Sequence, residues 1–145
     1  LVMFSGIGPF TIGLAKNSPA KEVIGVELNE DASAYAQMNV RRNKAETAQE
    51  ICGDVREIVP ELASFERIIM PLPHTAAEFL DVARNAASPG ASIHLYCFAK
   101  EEDIREYAQS LLEENESITE IVKAGTYNPA LDRWCVDISY CVHTQ

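Results

Sequence analysis

The order of apolar segments constrains this chain more than any single residue does. Short apolar runs of strand length alternate with longer stretches of helical spacing. "LVMF" reads as a strand, and "PFTIGLAKN" opens a helix whose apolar side is Phe10, Ile12, Leu14 and Ala15. "SPAKE" is a loop and "VIGVEL" a second strand. "NEDASAYAQMNVRRNKA" is helical: Asn29 or Asp31 caps it, Glu30 and Asp31 suit its positive end, and Arg41, Arg42 and Lys44 suit its negative end. "AQEICGD" is a short third strand, "VREIVPEL" a loop or short helix, and "FERIIMPLP" a fourth strand that ends at prolines. "TAAEFLDVARNAA" is a helix with Thr75 and Glu78 at the spacing of a capping box, and "SPG" ends it. "ASIHLYCF" is the fifth strand and "KEEDIREYAQSLLEEN" a long acidic helix. "ITEIVKAGTY" and "RWCVDISYCV" are two further strands, with "NPALD" as the turn between them.

Strands that alternate with helices imply a parallel sheet wound on both faces by right-handed crossovers. The last two strands have no helix between them, so they form an antiparallel hairpin at one edge. The expected fold class is α/β: a Rossmann-like, doubly wound, seven-stranded, mostly parallel sheet with a C-terminal antiparallel hairpin strand. The 145 residues suffice for one domain with its own core, taken as 1–145. No apolar run reaches the ~18 residues needed to span a bilayer, and "LVMFSG" has no basic leader region. The chain opens inside an apolar run without an initiator Met, so a fragment of a longer polypeptide is expected.

The formal charge of −10, from 12 basic and 22 acidic residues, argues against a free-standing nucleic-acid binder. It leaves room for an RNA-modifying enzyme whose basic surface lies elsewhere. Glu101, Glu102, Asp103, Glu106, Glu113, Glu114, Glu116 and Glu120 face only Arg105 in that stretch, which reads as a solvated helix face. Cys52, Cys97, Cys135 and Cys141 include no CxxC pair and read as buried free thiols of a reducing cytoplasm. His74, His94 and His143 are too scattered to complete a zinc site with them, so no metal is expected.

The first strand ends in "SGIGPF", where Gly6 and Gly8 bring the backbone close to a ligand at a helix N-terminus. It is not the dinucleotide fingerprint: the next glycine, Gly13, is out of register and Pro9 interrupts the run. A phosphate loop ending in GK[ST] is absent. Glu27, nineteen residues after Gly8, ends the second strand, where a carboxylate can accept two hydrogen bonds from a ribose diol. Asp54, after the third strand, either accepts from an adenine amine or caps the next helix. Together they outline an adenosine pocket. Pro71 and Pro73 make a stiff, donor-poor loop after the fourth strand, or simply stop it. His74 reads as a general base or, with no carboxylate nearby in sequence, as a solvent-facing loop residue.

"MFSGIGPF", "GVELN", "NVRRNKA", "CGDVRE" and "RIIMPLPHTAAEFLD" resemble, in order, the class I methyltransferase domain of archaeal and eukaryotic tRNA (guanosine-37 N1)-methyltransferases, the Met-10+ like family. "AGTYNPALDRWCVDISYCV" looks like that family's closing hairpin, so the resemblance covers nearly the whole chain. It implies S-adenosyl-L-methionine as cofactor. Phe4, Gly6, Gly8, Pro9 and Phe10 would then shape the methionine and ribose side. Glu27 would hold the ribose hydroxyls, with Leu28 and Val55 against the adenine and Asp54 at its amino group. Pro71, Leu72 and Pro73 would form the loop between methyl donor and target base, with Pro71 and Pro73 the catalytic positions. Two positions depart from the family pattern: Val2 stands where an aspartate is common, and Pro71 where "NLP" has its Asn.

The resemblance further implies transfer of methyl to guanine N1 of tRNA in the cytoplasm, by a monomer that uses no metal or membrane. In the family, the arginine and carboxylate that assist proton removal lie upstream of this domain, so the isolated piece is expected to bind cofactor without methylating tRNA. The alternatives are an aminocarboxypropyl transferase of wybutosine synthesis, against which "MPLP" argues, and a cofactor-binding module that supports a partner. A uracil-5 methyltransferase would need a catalytic cysteine after the fourth strand, and Cys97 in "LYCFAK" lacks the required context.

Overall fold

A computed structural model of the chain describes residues 1–140; Cys141 and His143 lie outside the described residues. The residues group into two compact units, Leu1–Ala63 and Ser64–Gln145.

The first unit contains β1 (Val2–Met3), α1 (Pro9–Asn17), β2 (Val23–Glu27), α2 (Glu30–Arg42), β3 (Ala48–Cys52) and α3 (Val55–Ile58), followed by a short 3-10 turn over Val59–Glu61. β1 and β3 both pair with β2 in parallel, Val2 opposite Gly25 and Glu27 opposite Cys52 at the far end. Val2, Met3 and Val26 are fully buried, as expected of parallel strands covered on both faces. α1 begins at Pro9, whose missing N–H costs nothing at a first helical position. Of the two candidate caps of α2, Asn29 is the one used: its side chain accepts from Ala32 N–H at 2.9 Å.

The second unit contains β4 (Phe65–Met70), α4 (Leu80–Ala86), β5 (Ala87–Ala99), α5 (Ile104–Ser110), β6 (Glu116–Asn128) and β7 (Leu131–Tyr140). β4 and β5 are parallel, while β7 runs antiparallel to both β5 and β6. Ile93, Leu95 and Cys97 on β5 and Trp134, Val136 and Ile138 on β7 alternate into the core. The strand order is β3-β2-β1 in the first unit and β4-β5-β7-β6 in the second, seven strands that pair mostly in parallel and end in the expected C-terminal hairpin.

Several local expectations change. Thr75 makes no side-chain cap bond; a 3-10 turn over Ala76–Phe79 precedes α4 instead. "SPG" does not separate α4 from β5 but bulges inside β5, where the register with β4 jumps between Phe65/Ala87 and Arg67/Ser92. The acidic helix is shorter, because Lys100–Asp103 form turns before it. The hairpin turn is only Pro129 and Ala130, since the Asn128 carboxamide oxygen accepts from the Ala130 and Leu131 N–H groups, both at 2.8 Å.

The acidic run is mostly solvated, with one exception. The Glu116 side chain is buried and takes a two-pronged bond from Arg84, Nε and Nη2 each at 2.7 Å, while Nη2 also reaches the Leu111 carbonyl. Burial disfavours the Glu116 charge, but the guanidinium outweighs it and holds the carboxyl below its usual range.

Cys97 is buried and its thiol is pushed up to about 11 by desolvation. Half-buried Cys135 is pushed up to about 12 by burial and by the Asp137 charge. Cys52 departs from the buried-thiol expectation: it is the last residue of β3 and exposed. Among the described residues, no helix is long and apolar enough to cross a membrane.

Candidate functional site

β1 does not stop at Met3. The Ser5 N–H continues its ladder by bonding Val26 O at 3.0 Å, and Gly8 N–H then bonds Ser5 O at 3.0 Å to close a tight turn. Phe4, Gly6 and Gly8 all have left-handed backbone, with φ of 58°, 59° and 87°. The two glycines do different work. A Cβ on Gly6 would meet nothing within 4 Å, so that position faces open space. A Cβ on Gly8 would stand 3.1 Å from Glu50 Oε1 and 3.4 Å from Ala36 Cβ, so that position is packed from beneath. Asn39, on α2, pins the turn by donating to Ile7 O at 3.0 Å.

Glu27 ties the strand ends together. Its carboxylate accepts from Gly6 N–H at 2.7 Å and from Asn29 N–H at 2.9 Å, and its backbone carbonyl accepts from Gly53 N–H at 2.9 Å. A carboxylate has roughly four acceptor directions, so half of its capacity remains for a ligand. Leu28 beside it is 67% exposed. Asp54 is a helix cap, accepting from Arg56 N–H at 2.8 Å through Oδ1. Val55 is buried, Phe4 and Phe10 are half-buried, and Pro9 is exposed. The open Gly6, the spare Glu27 acceptors and the apolar Leu28 suit a nucleoside with a vicinal diol.

Sequence reasoning missed Glu50. It lies in β3 directly opposite Gly25 of β2, is only 7% exposed, and folds its carboxylate over the space a Gly25 side chain would fill. Ser5 Oγ donates to Oε2 at 2.6 Å, while Oε1 makes no hydrogen bond within 3.5 Å among the described residues. The signal was present: a glycine inside a strand marks a close approach, and a lone carboxylate sits in the neighbouring strand. Burial raises the Glu50 pKa, the Ser5 and Thr11 hydroxyls offset part of this, and the Glu27 charge adds to it.

A raised folded-state pKa means that the folded chain holds the proton more tightly than the unfolded chain does. Ionising Glu50 therefore costs stability as pH rises above its ordinary value of 4.5. Glu50→Gln, which keeps the shape without the charge, is expected to gain on the wild type in thermal midpoint as pH increases from there. Below that pH the gap should close. A gap independent of pH in paired melts would show that Glu50 is not the titrating group.

The other candidate residues lie in the second unit. β4 ends at Met70, and Pro71, Leu72 and Pro73 follow as a loop in which Leu72 O accepts from Ala76 N–H at 2.9 Å. Pro71 and Pro73 are half-buried and Leu72 is exposed. His74 is exposed and packs its ring on Phe98 and Tyr127. Among the described residues, the group whose ligand atoms come within metal-binding reach is His94, Cys135 and Asp137. Hydrogen bonds account for it: His94 Nδ1 meets Asp137 Oδ1 at 2.7 Å, and Cys135 Sγ donates to the same oxygen at 3.3 Å.

Comparison with known proteins places this geometry. Residues 1–124 match the TRM5/TYW2 methyltransferase domain. The chain is 42% identical over 101 residues to tRNA (guanine(37)-N(1))-methyltransferase Trm5b of Pyrococcus abyssi, covering 70% of this chain and 29% of that one. Its fold matches the crystal structure of wild-type Trm5b from Pyrococcus abyssi with a TM-score of 0.85 and 30% identity, over 97% of this chain and 44% of that one. It also matches M. jannaschii TYW2 in complex with AdoMet, with a TM-score of 0.79 and 29% identity, over 97% of this chain and 68% of that one. The chain thus spans under a third of its curated relative's length. It belongs to the TRM5/TYW2 methyltransferase domain family.

Proposed function

We propose that this chain is the cofactor-binding methyltransferase domain of a tRNA (guanine-37 N1)-methyltransferase, with S-adenosylmethionine as methyl donor. The observation that carries the reading is Glu27, whose carboxylate is aimed by the N–H groups of Gly6 and Asn29 beside the open glycine turn. Residues 1–145 act as one domain in this reading. Phe4, Gly6, Gly8, Pro9 and Phe10 line the methionine and ribose side, and Glu27 takes the ribose hydroxyls. Leu28 and Val55 border the adenine, and Asp54 offers the carboxylate oxygen not used in capping to its amine.

When bound, S-adenosylmethionine supplies a methyl on a sulfonium: guanine N1 bonds to that carbon, the S–C electron pair stays on sulfur, and the N1 proton leaves to a base. Rate would come mainly from in-line positioning and from that proton removal. Pro71, Leu72 and Pro73 offer the base a rigid rim, and the prolines present no N–H donor towards a cationic methyl. The protein works on tRNA as a cytoplasmic monomer without a metal.

The test is product analysis with the whole gene product and unmodified tRNA. Adenosylhomocysteine and 1-methylguanosine at position 37 are the expected products. Methylthioadenosine would assign aminocarboxypropyl transfer instead, and absence of any binding of S-adenosylmethionine or adenosylhomocysteine by calorimetry would overturn both.

A further inference from the structure

Three aromatic rings from separate segments of the second unit meet: His74 from the loop after β4, Phe98 near the end of β5 and Tyr127 near the end of β6. Phe98 and Tyr127 stack at 4.2 Å between centroids with 30° between planes, and His74 sets its edge against both, at 4.7 and 5.7 Å. β4 and β5 are parallel, and β6 and β5 are each antiparallel to β7, so β4, β5 and β6 all run the same way. The three rings therefore share the carboxyl edge of the sheet, where open α/β folds bind ligands.

The cluster is not closed off from solvent. Tyr127 is 54% exposed and His74 is exposed, an unusual place for rings that serve only packing. Two of the chain's 12 basic residues are close to it, one across the ladder and one along the chain, although the net charge is −10. Arg133 lies opposite Phe98 in the ladder, with its guanidinium over Gly125 and bonded to Ala124 O at 3.0 Å. Lys100 follows two residues after Phe98, with its exposed ammonium 3.8 Å from the Glu102 carboxylate.

Exposed aromatic faces flanked by cations fit an unpaired nucleobase and its phosphates: the base stacks on the ring and the cations meet the backbone. We propose that His74, Phe98 and Tyr127 form a stacking platform for an unpaired base of the RNA substrate, held in register by Arg133 and Lys100. This rests on the reading of the protein as a tRNA-modifying enzyme and assigns it a subsite on this chain.

The test uses the whole gene product and a short single-stranded oligoribonucleotide carrying 2-aminopurine. Stacking should quench the probe's fluorescence on binding. Tyr127→Phe keeps the ring and should bind as the wild type does, while Tyr127→Leu should bind about tenfold more weakly and lose the quench. His74→Leu, on a loop rather than a strand, should weaken binding in the same direction. Arg133→Gln should lower the salt dependence of binding by about one ion. S-adenosylmethionine affinity should be unchanged in all four variants. Quenching and affinity equal to wild type in Tyr127→Leu would overturn the platform, as would methyl transfer to tRNA by a wild type that does not quench the probe. A wild type that quenches the probe but does not modify tRNA supports the platform and refutes the assigned reaction.

Discussion

Glu27→Ala is expected to lower the affinity for S-adenosylmethionine about a hundredfold, measured by isothermal titration calorimetry. Hydrogen bonds to a charged acceptor contribute about 1.5–3 kcal/mol each, and a ribose diol would make two of them. Those values are already net of desolvation, so two bonds at the lower end contribute about 3 kcal/mol, or about two decades in Kd. The variant also strips the Gly6 and Asn29 N–H groups of their acceptor, so the turn and the start of α2 lose a shared anchor. Glu27→Gln should fall between the two. Its carbonyl oxygen still accepts one N–H, but its amide nitrogen now faces the other. A 2′-deoxy analogue of adenosylhomocysteine separates the ribose role from general loosening, because a ligand without that hydroxyl should lose less affinity in Glu27→Ala than adenosylhomocysteine does. If Glu27→Ala bound S-adenosylmethionine or adenosylhomocysteine with wild-type affinity, Glu27 would be an element of loop architecture and no ligand group.

Alternation made the topology legible, because strand and helix periods differ and strands linked by helices have few ways to pair. Gly6, Gly8 and Glu27 could be picked out for a related reason: a glycine turn and a lone carboxylate at a strand end are local features with local causes. The errors fall where the cause is not local. Thr75 and Glu78 have the right spacing for a capping box, but Thr75 sits at φ −131°, ψ 0°, and the chain enters a 3-10 turn there. Ser88, Pro89 and Gly90 look like a break, yet β4 supplies a partner on either side of the bulge, and Ser88 Oγ bonds Phe65 O at 3.0 Å. Cys52 sits in an apolar stretch but ends β3, which lies at the sheet's edge, and so it meets solvent. Glu116 belongs by composition to a solvated acidic run, and Arg84, thirty-two residues earlier, draws its side chain inside together with the Glu113 N–H. Asp54 shows the limit from the other side: both of its readings were visible, and the cap is the one the structure displays.

Gly25→Ala is expected to destabilise the protein by about 1–3 kcal/mol, the usual range for an added methylene in a packed site. Nothing about β2 taken alone forbids alanine there. The restriction comes from Glu50 across the ladder, both of whose carboxylate oxygens occupy the place of the missing Cβ. A carboxylate at the end of a flexible side chain would ordinarily step aside. This one is buried, has Gly8 behind Oε1 and is held by Ser5 through Oε2, so it cannot move without pulling on the glycine turn. Thermal melts of Gly25→Ala should therefore fall by several degrees, and S-adenosylmethionine affinity should fall with them, although Gly25 touches no ligand. The double variant Gly25→Ala with Glu50→Ala removes the overlap. Its loss of stability should fall short of the sum of the two single losses by about 1–2 kcal/mol, the coupling expected of residues in direct contact. Strict additivity would mean that the carboxylate relaxes freely, and the glycine turn would then owe its shape to its own backbone and to Asn39. Coupling would instead make Glu50 the support beneath the turn, and would explain why a buried carboxyl is tolerated next to Glu27.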